Sequence, residues 1–96
     1  MTAATSDVTH NEAASRFEMR VGDRLCIAAY HLIDGVMWLT HTEVPPALRN
    51  RGLAEHVVRA ALDHARAHGL KVKPACSYVR SYMRRHPESR DLLSAS

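Results

Sequence analysis

The chain has 96 residues, the length of one domain. Hydrophobic residues make up 46%, enough for a core, but aromatics only 5%, so a base-stacking platform for single-stranded nucleic acid is poorly furnished. The formal charge of +3 favours an anionic ligand and falls short of the charge density of a dedicated nucleic-acid binder.

Residues 1–14 are rich in Thr, Ala and Ser, have no period and lack an apolar stretch of signal-peptide type; they read as a disordered tail ahead of a single domain over 15–93. In "RFEMRV", Phe17, Met19 and Val21 alternate with Arg16, Glu18 and Arg20, the pattern of a half-buried strand. "VGDR" supplies a turn, and "LCIAAYHLI", apolar on both faces, follows as a central strand. Asp34-Gly35 is a strong hairpin signal, and "VMWLTHTEV", Val36 to Val44, is the third strand. Pro45 and Pro46 end it.

From Leu53 the period becomes helical: Leu53, Ala54, Val57, Val58, Ala61, Leu62 and Ala65 form one wide apolar stripe, and Gly69 is a natural stop. "LKVKPAC" reads as a fourth strand, parallel to the third because a helix crosses between them. "SYVRSYMRRH" is a shorter helix with Ser77 as N-cap, and Tyr78, Val79, Tyr82 and Met83 as its apolar stripe. Pro87 ends it, and "ESRDLLSAS" reads as a fraying terminus. The fold class is therefore α/β: a mixed, mostly antiparallel four-stranded sheet with one long helix and a short C-terminal one.

Cys26 and Cys76 form no CxxC and read as reduced thiols, which fits a cytoplasmic protein. No apolar run reaches the roughly 18 residues of a membrane helix. His64 and His68, spaced i, i+4, invite a metal reading, but no H-E-x-x-H motif and no cysteine pair supports it. They read as residues on or beside the solvated helix face. Lys71, Lys73, Arg80, Arg84 and Arg85 form the largest basic concentration. With so few aromatics this is read as a solvated surface or an attraction for phosphate, in preference to a nucleic-acid path.

The chemistry concentrates at the mouth of the long helix. Arg49-Asn50-Arg51-Gly52-Leu53-Ala54 has the spacing R-x-x-G-x-A after a strand. Gly52 lets the backbone approach a ligand, the free N–H groups of a helix start chelate phosphate oxygens, and Arg49 and Arg51 add charge-assisted hydrogen bonds. Neither a P-loop nor a G-x-G-x-x-G fingerprint is present. By itself this shows an anion site and no more.

Strand, [QR]-x-x-G-x-[GA] and long helix together resemble the acetyl-CoA-binding motif of the GNAT superfamily of N-acyltransferases. The resemblance is closest to its small members, whose recurring pieces are H-T-x-V, R-G-x-G-[IL]-[AG], a G-L-K-V strand, a cysteine just after it and Y-[IVM]-x-x-H-P. It covers Phe17 to Glu88. It departs at Asn50, where many relatives carry a glycine. The resemblance implies that the coenzyme's diphosphate sits on the amides of Arg51 to Ala54. It also implies that the pantetheine arm runs between splayed third and fourth strands against Thr42, Glu43 and Val44. The small type lacks the two helices that larger members insert after the first strand, here replaced by "VGDR", which leaves the acceptor side open.

Acyl transfer from a thioester to an amine needs a neutral amine, a polarised carbonyl and a leaving thiolate. Glu43 and His41, two apart on one strand face, are candidate proton acceptors; packing and ion pairing are their bland alternatives. Cys76, at a strand end and a helix start, either takes the acyl group as a thioester or lines the pocket. Tyr78 or Tyr82 is a candidate acid for the leaving thiolate, against a role in packing. The expected activity is acetyl-CoA-dependent transfer to an amine on a small molecule or a protein. The alternative is a CoA-binding module with little or no catalysis.

Overall fold

Burial alternates along the first half of the chain, as the two-residue period of a strand demands. The computed structural model describes residues 8–94. Its strands are β1 (Val8–Asn11), β2 (Arg16–Val21), β3 (Arg24–Ile33), β4 (Val36–Glu43) and β5 (Lys71–Pro74); its helices are α1 (Leu53–Ala67) and α2 (Ser77–Arg85). Short 3-10 turns occupy Pro46–Leu48 and Pro87–Leu92. The sheet runs β1-β2-β3-β4-β5, antiparallel except for the parallel β4–β5 pair joined through α1. At the β3–β4 hairpin Asp34 (φ 50) and Gly35 (φ 78) are both left-handed, as a type I′ turn requires.

Three expectations need correction. The sheet has five described strands, not four, because Val8–Asn11 pairs with β2. That strand lies inside the stretch read as a tail; residues 1–7 of that stretch lie outside the described residues. "VTHN" is too short to register as a period. Tertiary contacts hold it: the His10 ring stacks on Phe17 at 4.2 Å between centroids, and its Nε2 lies 2.6 Å from Tyr30 Oη. The described part of the stretch read as fraying, 88–94, is tied down; residues 95 and 96 lie outside the described residues. Arg66 on α1 forks onto Asp91 at 2.8 and 3.0 Å, and the Ser94 N–H donates to Val72 O at 2.9 Å. Finally, Cys76, not Ser77, is the N-cap of α2.

The core lies on one face of the sheet. Phe17, Met19, Cys26, Ala28, Tyr30, Met37, Leu39 and Val72 meet Val57, Val58, Ala61, Leu62 and Ala65 of α1 and Val79, Tyr82 and Met83 of α2. Burying a side chain of this size stabilises the fold by roughly 1.5–3 kcal/mol, so the helical stripe decides which face α1 presents. Leu25, Ile27 and Ala29 of β3 and Val36 and Trp38 of β4 alternate with these residues, are half-buried, and belong to no part of the core. They form the opposite, outer face.

Candidate functional site

β4 and β5 run together only from Val36↔Lys71 to Leu39↔Pro74. Pro74 has no N–H to continue the ladder. The carbonyl of Leu39 then accepts from both Ala75 N–H and Cys76 N–H at 3.0 Å, which closes the pairing. Just beyond, β4 carries one extra residue. Ala29 pairs with His41 while Tyr30 pairs with Leu39, so Thr40 is a bulge. From there β4 leaves β5, and a cavity of about 690 Å³ opens, lined by His41 to Val44, Leu48 to Asn50, Gly52 to Ala54, and Tyr78. That volume falls within the ordinary range of ligand pockets.

The floor of this cavity is the loop into α1. Asn50 (φ 67) and Gly52 (φ 69) are both left-handed; tight turns of this kind can aim successive N–H groups to one side as an anion-binding concavity. Gly52 is the N-cap and supplies no side-chain cap, so the four free N–H groups of the first turn keep their donors. Arg49 folds over the loop and donates Nε–H to Val44 O at 3.1 Å. Asparagine is among the few non-glycine residues that tolerate this φ, so it can hold a turn that a glycine would otherwise serve. One carboxylate competes at this mouth: Glu55 reaches to 3.8 Å from where a Gly52 Cβ would lie. Its Oε2 is partnered by His86 Nε2 at 3.8 Å.

The bulge sorts the wall into two sides. Thr42, opposite Ala28, faces inward. The Cys76 thiol donates to Thr42 Oγ1 at 3.6 Å. Burial raises the Cys76 pKa, but hydrogen bonds to the thiolate from the Thr42 hydroxyl and the Val79 and Tyr78 N–H groups outweigh it and hold the thiol below its ordinary value. His41 and Glu43 face outward, opposite Ala29 and Ile27. Their Nε2 and Oε1 lie 3.4 Å apart, with the side chains 61% and 60% exposed, so either can reach a substrate without displacing the core.

The structure therefore brings His41, Thr42, Glu43, Val44, Arg49, Asn50, Gly52, Leu53 and Ala54 to one cavity. Cys76 sits just behind Thr42. Arg51 is exposed and is not among the lining residues. Tyr82 is not there either: it is 3% exposed, in the core, with its ring stacked on His86 at 4.0 Å. Its neighbour Tyr78 lines the cavity instead, and burial raises its hydroxyl pKa, keeping it protonated. Leu48 also lines the wall, and no pattern in the sequence marked it.

The basic concentration does not converge here. Lys71 Nζ donates to Asp91 O at 2.8 Å, Lys73 Nζ lies 5.6 Å from the Trp38 ring centroid, and Arg80 and Arg84 line a separate depression with Met83 and Leu93. His64 is not solvated as expected. It packs edge-on against Phe17 and His10 and stacks on His68 at 4.0 Å. Among the described residues no group of three or more His, Cys, Asp or Glu has the arrangement of a metal site, and no helix is long and apolar enough to cross a membrane.

Residues 16–92 match a family model described as GCN5-related N-acetyl-transferase. Protein NATD1 of Mus musculus is 34% identical over 83 residues, covering 83% of this chain and 76% of its own. The Homo sapiens protein of that name is also 34% identical, with 83% and 74% covered. A GCN5-like protein from Staphylococcus aureus, solved in solution, superposes with a TM-score of 0.73 over 98% of this chain and 93% of its own; at 20% identity that likeness speaks for the fold.

Proposed function

From the premise that this chain belongs to the GCN5-related N-acetyltransferase family, we propose that it transfers an acetyl group from acetyl-CoA to an amine. The observation that supports this most is the single cavity in which the uncapped start of α1, the edge of β4 released by the bulge, and the His41–Glu43 pair share one wall. The residues present fit the coenzyme. The concavity at Asn50–Gly52 suits a diphosphate, the amides of Arg51 to Ala54 and the Arg49 guanidinium supply donors, and the free edge near Thr42, Glu43 and Val44 suits an amide-bearing arm.

When bound, acetyl-CoA supplies a thioester carbonyl. The chain's own part falls into three tasks. Glu43 and His41 take a proton from the acceptor ammonium, so that its nitrogen attacks the carbonyl as a neutral amine. Backbone N–H near Val44 polarises the carbonyl oxygen. Tyr78, held protonated, would supply a proton to the departing thiolate, and the second proton that the acylated nitrogen must lose would pass to the His41–Glu43 pair and solvent, from which Tyr78 is reprotonated. Cys76, behind Thr42, shapes the end of the cavity in this direct route.

A second reading is a coenzyme-binding module with little turnover. It is favoured by the two-residue connection between β2 and β3 at Gly22–Asp23, which leaves no helices beside the acceptor. Calorimetry with acetyl-CoA and CoA, followed by thiol release over a panel of amines, decides between them. Binding with amine-dependent release is expected. Binding without release from any amine supports the module, and no binding removes both.

A further inference from the structure

We propose that Glu55 sets how tightly the coenzyme is held: its carboxylate stands over the loop that receives the diphosphate and opposes it, and His86 draws it aside. This rests on the acyl-transfer reading and adds the control of affinity at that same site. Glu55 is the third residue of α1, and the side chains of a helix lean toward its N-terminus. The carboxylate is thereby carried back over the Gly52 turn, where its Oε1 lies 3.8 Å from the position of a Gly52 Cβ. The free N–H groups of a helix start suit a carboxylate as well as a diphosphate, and an acid in the first turn stabilises the helix. The chain thus supplies its own negative charge at this mouth, and an incoming anion meets a like charge.

Two observations give the direction of the side chain. Arg59, four residues along the same helix, is the partner that helical spacing offers. The ion pair of Glu55 crosses instead to the second helix, its Oε2 lying 3.8 Å from His86 Nε2. Tyr78, in the cavity wall, feels the same carboxylate: after burial, Glu55 is the next influence that raises its hydroxyl pKa, with Arg85 opposing. Glu55 therefore bears on the diphosphate loop, on Tyr78 and on His86 together. His86 is held firmly. Its ring stacks on Tyr82 at 4.0 Å, its Nδ1–H donates to Tyr82 O at 2.8 Å, and its carbonyl accepts from the Ser89 N–H and hydroxyl at 2.9 and 2.7 Å. With Nδ1 committed to a carbonyl, Nε2 pairs with the carboxylate when it carries the ring's second proton. The Y-x-x-x-H-P piece, whose Tyr82 lies in the core, thereby acquires a role at the cavity: the buried ring anchors the one that governs Glu55.

Calorimetry with CoA on the full chain tests this, at about 0.1 M salt and about pH 6, in the range where a free imidazole carries its second proton. Glu55→Gln keeps the shape, removes the charge, and is expected to tighten CoA binding about fivefold or more. Asp63→Asn changes the net charge equally, about two turns farther along α1, and is expected to leave affinity within about twofold of the parent. At about 1 M salt, where the screening length falls to about 3 Å, the gain from Glu55→Gln should shrink to within about twofold. His86→Phe keeps a ring on Tyr82. It is expected to weaken CoA binding about threefold in the parent and not at all in the Glu55→Gln background, because His86 acts through Glu55. Thermal unfolding shows that each variant is folded. Unchanged or weaker binding by Glu55→Gln overturns the proposal. So does an equal gain from Asp63→Asn, a gain that salt leaves untouched, or an equal loss from folded His86→Phe in both backgrounds. Failure of the parent to bind CoA is a different result: it removes the acyl-transfer reading and this proposal with it, whereas binding that ignores Glu55 removes this proposal alone.

Discussion

Replacing Gly52 with alanine separates two roles that the glycine combines. A Cβ built there meets nothing closer than Glu55 Oε1 at 3.8 Å, an ordinary contact, so the substitution carries no steric clash within the chain. The cost is conformational, because φ is +69°. A left-handed alanine costs roughly 1–2 kcal/mol, and its stiffer unfolded chain returns about 0.4–1 kcal/mol, for a net loss near 1 kcal/mol. In a domain of this size that lowers Tm by about 4–8 °C. Coenzyme affinity is a different quantity: the new methyl projects at the cavity floor, and a relaxed loop turns its N–H groups away. A loss of about tenfold or more is expected, or 1.4 kcal/mol. Thermal unfolding and calorimetry with CoA on the same samples measure both. Asn50→Gly is the control: it relieves a left-handed non-glycine (φ 67), so stability and affinity should hold or rise. If Gly52→Ala lowered Tm as expected but bound CoA as tightly as the parent, the diphosphate would not be held at this loop.

Two further outcomes test the site and its frame. Cys26 is fully buried and burial raises its pKa, so native alkylation by iodoacetamide reports on Cys76. Its rate should have a midpoint below that of an unstructured cysteine peptide measured alongside, and Thr42→Val should move that midpoint up; a midpoint at or above the peptide's refutes the Thr42 contact. For His64, burial, followed by the nearby His68 and His10, holds the imidazole below its ordinary value, with Glu12 opposing. The unfolded chain then binds a proton that the folded chain refuses, so stability present above about pH 6.5 is lost as pH falls through the folded value. The same ring contacts dock β1. Tm should begin to fall as pH drops below about 6.5, above the range where Glu18 and Asp91, both held low chiefly by hydrogen bonds from arginines, begin to protonate. His64→Leu should flatten that limb; an unchanged limb would place the loss elsewhere.

Local rules carry far in this chain where each residue's neighbours in sequence are also its neighbours in space. Asp34-Gly35 names its own turn, the α1 stripe names its own buried face, and Pro45 ends a strand for a reason contained in its ring. What was not legible depends on distant partners. His10 needs Phe17, Tyr30 and His64 before four residues become a strand. The last turn needs Arg66, far back on α1, to hold Asp91. Tyr78 and Tyr82 share one helical stripe, and only the placement of α2 beside the gap in the sheet decides which of them meets the cavity.

The bulge at Thr40 is the deepest of these hidden features, because it decides what each candidate residue can do. Met37 and Leu39 face the core, and an uninterrupted strand would send His41 and Glu43 inward after them, with Thr42 outward. Two titratable groups would then be buried at a cost of several kcal/mol apiece unless neutralised. A carboxylate in such a place is a poor receiver of protons from solvent-borne substrates. One extra residue exchanges the two sides. Thr42 turns in to hold Cys76, and His41 and Glu43 turn out, exposed and 3.4 Å apart. The same irregularity ends the β4–β5 pairing and opens the cavity. Deleting Thr40 therefore restores the regular alternation. It leaves His41 and Glu43 outward and Thr42 inward, because His41 then follows Leu39 directly, but it should close the gap, removing coenzyme binding even where the chain still folds.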